Sequence, residues 1–385
     1  MVSATVIVSG MVAGTPGQSG AAWAVLQYLL GFRRLGYEVL FLDRLEPDMC
    51  VDETGRPAPV ESSVNLRYLS EVMDQFELGS SWSLLYDSGR RSVGLQRAVV
   101  LERLRRAPLL LNVMGFLDDE ELLAAPARRA FLDIDPGFGQ MWQALGLADL
   151  FTGHDSYLTI GENVGRVDCA VPTGGIDWVT TRQPVVLELW PVTPPPSAVR
   201  FTSVGSWRGP FGPVEYEGKV YGLRVHEFRR FFQLARDTGA DFQLALDIDE
   251  VEVGDLAALD AYGWVRVHPR SAARTPSSYR QWIQDSAAEF LVAKNMYVAT
   301  RGGWFSDRST CYLASGRPVL AQDTGLGDLY PVGEGLVTFS SYDEAVEGVR
   351  AITGDYERHA LASRRLAEEC FDSDQVLSAL CNKVA

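Results

Sequence analysis

The sequence predicts an α/β protein of two doubly wound domains in series, each with its own parallel sheet, facing one another across a cleft. Three observations predict it. Apolar strand-like runs alternate with helical segments through both halves, the proline-rich stretch "LELWPVTPPPSAVRF" separates the halves, and 385 residues exceed what one ordinary core serves.

The first half opens with the strand "ATVIVSG" (4–10), the turn "GTPGQSG" (14–20), a helix over 21–35 and the strand "EVLFLDR" (38–44). Strands follow in "APLLLNV" (107–113), "AFLDID" (130–135) and, in shorter form, near "LFTGHD" (150–155), with helical patterns in 62–76 and 118–129. Pro191, Pro194, Pro195 and Pro196 cannot continue a helix or donate to a ladder, so 191–198 is read as a linker between domains at 1–190 and 199–365. The alternation then resumes with "RFTSVGSW" (200–207), a helix within 224–239, "DFQLALDID" (241–249), "EFLVAK" (289–294), a helix near 308–315, and "PVLAQ" (318–322). The C-terminal run 357–381 is helical, and its last part, 366–385, is long enough to pack back on the first domain.

Composition narrows the function. A net charge of −15 argues against nucleic acid as a partner, because a phosphate backbone demands a basic face. No apolar run reaches the roughly 18 residues of a membrane span, and no basic segment precedes the first apolar stretch, so a cytoplasmic protein is expected. Five scattered cysteines without a C-x-x-C pair fit reduced thiols rather than disulfides or a zinc site. Three lysines against 32 arginines, with abundant Ala and Gly, suggest a GC-rich bacterial source.

Gly14, Gly17 and Gly20 let a backbone approach a ligand closely, and the helix after them points free N–H groups at the same place. The spacing is G-x-x-G-x-x-G rather than G-x-G-x-x-G, so Asp43, at the end of the second strand, supports a dinucleotide only loosely. Gly14, Gly17, Gln18 and Gly20 are read as a turn on the cleft wall that closes over a ligand's phosphate end.

The stronger signal lies in 294–324. Gly302 and Gly303 precede Ser306, Ser309 and Thr310, good capping types, at a helix start that follows a strand, and Gly316 ends that helix before Pro318. Such a helix N-terminus is an anion site. The scarce Lys294 and Lys219, with Arg208, are cations placed to neutralise a diphosphate there.

These residues carry a resemblance. "RGGWFSDRSTCYLASGRPVLAQ" (301–322) resembles the glycine-rich phosphate motif of GT-B glycosyltransferases, and 9–43 is similar to their opening βαβ unit. The resemblance implies two Rossmann-like domains, a nucleotide sugar bound by the second, an acceptor bound mainly by the first, and no essential metal or other cofactor. Cys311 stands near the place where many relatives carry a ribose-binding glutamate. The expected activity is transfer of a hexose from a nucleoside diphosphate sugar, such as a UDP or TDP sugar, to a small-molecule acceptor in natural-product biosynthesis. A nucleotide-sugar epimerase or a non-catalytic nucleotide-sugar-binding protein are the alternatives, and the expected state is monomer or homodimer.

A general base belongs in the cleft and is most often His, so His154 is the first candidate and Asp135 the second. Asp133, Glu162, Asn163 and Asp177 are candidates to bind sugar or acceptor hydroxyls, the last three lying in the glycine-rich stretch 159–178. "DID" occurs at 133–135 and 247–249, but two carboxylates alone make an incomplete site for a hard cation, and no metal is expected.

Overall fold

The computed structural model describes residues 4–384. The first sheet comprises β1 (Thr5–Ser9), β2 (Glu38–Leu45), β3 (Trp82–Tyr86), β4 (Arg91–Gly94), β5 (Leu109–Val113), β6 (Arg129–Asp133), β7 (Ser156–Thr159) and β8 (Trp178–Thr180). Its order is β4-β3-β2-β1-β5-β6-β7-β8, parallel except for β3 with β4. β9 (Arg200–Ser206) begins the second half, followed by the antiparallel hairpin of β10 (Val214–Tyr216) and β11 (Lys219–Tyr221). The second sheet joins β9 to β12 (Asp241–Asp247), β13 (Val265–Arg266), β14 (Ala288–Leu291), β15 (Val319–Gln322) and β16 (Leu336–Phe339), in the order β13-β12-β9-β14-β15-β16. In each sheet the order reverses beside the first strand, β1 or β9, and ligand crevices open at the carboxyl side of such switch points.

Burial of both faces explains the uninterrupted apolar strands. In β1, Val6 and Val8 pack into one apolar cluster and Ile7 into another on the opposite face. The larger cluster runs across both domains, so the halves share a continuous apolar core. Trp190, fully buried just before the linker, joins them by packing against Trp23 at 4.8 Å and Tyr279 at 6.4 Å between ring centroids.

Six helices position the site: α1 (Ser19–Arg34), α2 (Phe138–Ala144), α3 (Asn295–Thr300), α4 (Asp307–Ala314), α5 (Tyr356–Cys370) and α6 (Ser373–Val384). α1 buries one side on the first sheet and also reaches the second domain, where Trp23 Nε1 donates to the Pro276 carbonyl at 3.0 Å. The C-terminal run is two helices rather than one. Val185 N–H donates to the Phe371 carbonyl and Ser373 N–H donates to the Val185 carbonyl, and this strand-like exchange interrupts the helix and turns α6 onto α1. There Gly31 leaves room for α6, since a Cβ would meet Leu377 Cδ1 at 2.4 Å. The helix expected within 224–239 is also divided, into Arg224–Phe228 and Leu234–Thr238 with a 3₁₀ turn between them. No helix of the described residues is long and apolar enough to cross a membrane.

The linker is clamped by one buried cation. Arg317, 1 % exposed, donates to Thr193 Oγ1 at 2.6 Å, the Pro194 carbonyl at 3.0 Å and the Gln284 carbonyl at 2.7 Å. Arg317→Ala is expected to lower unfolding free energy by at least about 2 kcal/mol, because buried carbonyls then lose a charged donor. Urea unfolding measures this, and an unchanged midpoint contradicts the clamp.

Candidate functional site

A cavity of about 620 Å³ opens between the start of α1 and the carboxyl ends of the second sheet. Gly17, Gln18 and Gly20 form one wall. Gly17 has φ +78, and no atom lies within 4 Å of where a Cβ would point, so the glycine serves backbone conformation and leaves the wall open. Opposite lie Gly205 and Asp247 at strand ends, His268 and Arg270 beyond β13, and Asp307 and Arg308 at the start of α4.

This wall concentrates positive charge with free donors. Arg308, 7 % exposed, donates from Nε to the fully buried Glu289 at 2.5 Å and from Nη1 to the Val204 carbonyl at 2.8 Å, leaving Nη2 buried without a partner. Burial opposes the charge on Arg308, yet Glu289 outweighs it and holds the guanidinium above its usual range. Arg224 donates to the Ser206 carbonyl at 3.0 Å and, among the described residues, pairs with no carboxylate and keeps a buried Nε without a partner. Burial, and then the neighbouring Arg308 charge, push Arg224 down to about 9, so it stays charged at neutral pH but lacks an anion. Glycine at 205 makes this pairing fit: a Cβ there would lie 2.8 Å from Arg224 Nη1 and 3.5 Å from Arg308 Nη1. The N-terminus of α4, capped by Ser306, points its dipole at the same place.

A second cavity of about 1020 Å³ lies under the first domain's switch point. The two meet at Ala21, Ala24, Ile134 and Pro210, which line both. Astride this junction, Lys294 of the first cavity bonds Asp135 of the second at 2.7 and 3.0 Å. The Tyr297 hydroxyl donates to the same carboxylate, and the Lys294 ammonium lies 4.9 Å from the Phe138 ring centre and 5.7 Å from that of Phe211.

The residues singled out from sequence divide by location. Arg208, Lys294, Gly17, Gln18 and Gly20 line the first cavity, whereas Asp135 and His154 line the second. Arg208 is already paired with Glu252. Lys219 is exposed on β11 outside both cavities, because the hairpin carries it away from the strand ends. Gly302 and Gly303 do not form an open cradle: the Gly302 carbonyl accepts from Asn163 N–H at 3.1 Å, and a Cβ on Gly303 would sit 2.9 Å from that nitrogen. Ser309 Oγ turns inward to Glu289 at 2.6 Å, and Thr310 Oγ1 bonds the Asp307 carbonyl at 2.7 Å, so neither hydroxyl faces the cavity. Gly14 packs on Met11 instead of lining the cleft.

His154 precedes a strand rather than closing one, since β7 starts at Ser156 and the Arg129 to Asp155 ion pair holds the turn before it. Both its nitrogens are engaged, Nδ1 with the Phe151 carbonyl and Nε2 with Asn112 Nδ2, each at 2.9 Å. Burial pushes its pKa down, and the neutral ring with Nδ1–H donating and Nε2 accepting satisfies both bonds. Asp133 is buried under the cleft, accepting from Gln140 Nε2 at 2.6 Å and Thr159 Oγ1 at 2.8 Å. Glu162 is taken by Arg182 and Tyr330, and Asn163 bridges the domains through the Arg301 and Gly325 carbonyls. Asp177 is exposed outside both cavities. The stretch 159–178 thus fastens the domains together beneath the Gly302–Gly303 turn. Arg224, Arg308 and Tyr297 were missed; Glu289 inside an apolar run, which demands a buried cation, was the available signal for Arg308.

No family model matches this chain, and no curated protein matches it by sequence. Solved structures do match. An alpha-glucosyltransferase (AGT) in complex with UDP shares 10 % identity over 99 % of this chain and 100 % of that one, with a TM-score of 0.59. Anabaena Alr3699/HepE in complex with UDP shares 12 % over 99 % of each chain, at 0.55, and the pneumococcal O-GlcNAc transferase GtfA in complex with UDP and GlcNAc shares 10 % over 100 % of this chain and 99 % of that one, at 0.53. The chain therefore has the GT-B fold, two Rossmann-like domains facing across a cleft with the C-terminal helix returning to the first. The exclusion of nucleic acid drawn from net charge is corrected: the alpha-glucosyltransferase has also been solved with UDP and a 13-mer DNA, so a protein of this architecture accommodates DNA, and bulk charge does not decide the partner.

Asp43 does not face a ligand through free oxygens; it accepts from Val12 N–H at 2.9 Å, Ala13 N–H at 2.7 Å and Arg44 N–H at 2.7 Å, fixing the loop after β1. Burial outweighs these donors and pushes its carboxyl up to about 7. The folded state then binds more protons than the unfolded chain between pH 4 and 7, so this residue's stabilising contribution falls as pH rises through that window. The unfolding free energy of the wild type relative to Asp43→Asn is expected to fall by up to about 4 kcal/mol from pH 4 to pH 7, and a pH-independent difference contradicts it.

Proposed function

We propose that the chain is a glycosyltransferase that holds a nucleoside diphosphate hexose in the first cavity and an acceptor hydroxyl in the second, with no metal required. The observation that carries this reading is the pair of buried, unpartnered donors, Arg224 Nε and Arg308 Nη2, beside the N-terminus of α4. Both guanidiniums line the cavity, Arg224 with only a backbone carbonyl as partner, and a diphosphate seated there supplies the negative charge it lacks. The UDP complexes of proteins with this fold support a uridine nucleotide as the donor's carrier.

In this arrangement the nucleoside lies toward Asp247, His268 and Arg270, and the diphosphate over Arg224, Arg308 and α4. The sugar then reaches the junction at Ile134. The bond from the anomeric carbon to the phosphate oxygen breaks with its electron pair going to the diphosphate, whose growing charge the guanidiniums and Lys294 stabilise. The acceptor oxygen bonds the anomeric carbon, and its proton passes to Asp135 as Lys294 turns to the leaving group. Asp135 suits this role because it lies where the cavities meet, whereas both nitrogens of His154 are bound to protein.

Arg224→Ala is expected to weaken UDP binding about 10- to 100-fold in calorimetry, the worth of a charged hydrogen bond. Unchanged affinity removes the anion site. Asp135→Asn is expected to lower the transfer rate at least about 100-fold with UDP affinity within about twofold, while His154→Ala changes kcat less than about fivefold. The opposite ranking returns the base to His154, and donor turnover without acceptor marks an epimerase instead.

A further inference from the structure

The second cavity differs in chemistry from the first. Met11, Met49, Met114, Phe116, Leu123 and Trp142 give it an apolar wall with three flexible thioethers, a surface that adapts to irregular apolar shapes. At about 1020 Å³ it reaches the upper end of the range, roughly 300–1,000 Å³, typical of small-molecule sites.

Its charges are one-sided. Six carboxyl groups line it, from Asp43, Glu46, Asp118, Glu120, Asp135 and Asp149, against two guanidiniums; Asp43, pushed up to about 7 by burial, adds little charge at pH 6.5, and Glu46, Asp118 and Asp135 are paired, so the excess negative charge comes from Glu120 and Asp149. Neither guanidinium is free: Arg44 is held by Glu46 and Asp118, and Arg129 by Asp155. His154 adds no positive charge, because burial keeps its ring neutral. Among the described residues an anionic ligand entering here finds no unpaired cation and the uncompensated carboxylates of Glu120 and Asp149, whereas a flat apolar ligand finds the Trp142 ring, itself packed edge-on against Phe211 at 4.9 Å.

From this we propose that the acceptor is an apolar, ring-bearing small molecule, neutral or cationic, that presents a hydroxyl toward Asp135 from a bed formed by Trp142 and the methionines. Calling this ligand the acceptor rests on the glycosyltransferase reading; the chemistry of the cavity does not. The acidic rim favours an amine on the side away from the hydroxyl, and the apolar bed sets affinity.

Equilibrium dialysis of the full chain at pH 6.5 with 7-hydroxycoumarin and with its anionic twin 7-hydroxycoumarin-3-carboxylate, and calorimetry with UDP on the same preparation, test this. The neutral probe is expected to bind at least about tenfold more tightly than the anionic one, since uncompensated like charge opposes the latter. Trp142→Ala is expected to lose at least about fivefold in affinity for the neutral probe while UDP binding is unchanged, which shows the variant folded. The rim variant Glu120→Lys is expected to narrow the neutral preference at least about threefold. Equal or tighter binding of the anionic probe, or binding of a DNA duplex but neither coumarin, overturns the proposal. UDP binding without binding of the neutral probe overturns it too but leaves the glycosyltransferase reading standing. Binding of the neutral probe without UDP binding upholds the cavity's chemistry and overturns that reading.

Discussion

The buried ion pair of Glu289 with Arg308 is the constraint on which the cleft depends. Glu289 sits fully buried on the central strand β14, where a lone carboxylate would be costly, and two side chains at the start of α4, Arg308 and Ser309, satisfy it. This couples sheet to helix. The strand fixes where α4 begins, the N-terminus of α4 therefore points into the cavity, and Arg308 keeps Nη2 free because its other nitrogens are committed to Glu289 and Val204. Removing one partner of such a pair strands the other and costs about 3–5 kcal/mol, so the proposed anion site and the stability of the second domain share one origin.

The two cavities acquire a common junction because the domains are locked rather than loosely tethered. Trp190, the clamp of Arg317 on the linker, and the loop around Asn163 hold the two sheets in register from behind, while among the described residues the cleft side keeps one direct ion pair, Asp135 with Lys294. That pair is 18 % exposed on each side chain and surrounded by aromatic rings, so solvent screens it little. A ligand that competes for Lys294 from one side leaves Asp135 held by the Tyr297 hydroxyl alone on the other. Charge in one cavity is thereby linked to the state of the other through a single contact.

Periodicity made much of the fold legible. Alternating apolar runs and helical patterns gave both sheets, and the prolines marked where one ends and the next begins, because these features report local backbone preference. The site was less legible. Gly302 and Gly303 carry the composition of a phosphate cradle, but their backbone is covered by Asn163 from 139 residues earlier in the chain, a tertiary contact that no local pattern reveals. Lys219 looked close to the strand ends in sequence, and the β10–β11 hairpin carries it away. Arg224 and Arg308 were hidden among 32 arginines, since their importance comes from guanidinium nitrogens left without an acceptor, a property of packing and not of composition. Net charge misled for a related reason: −15 spread over the surface says little about one cleft lined by guanidiniums.

Whether protein donors alone hold a nucleoside diphosphate in the first cavity is decided by calorimetric titration of the full chain with uridine, UMP and UDP in the presence of EDTA. The account predicts that affinity rises with each phosphate, with UDP at least about 100-fold tighter than uridine, as expected when charged hydrogen bonds to Arg224 and Arg308 form only with phosphate oxygens. Equal affinities for the three ligands, or UDP binding that vanishes once metal is chelated, would contradict it.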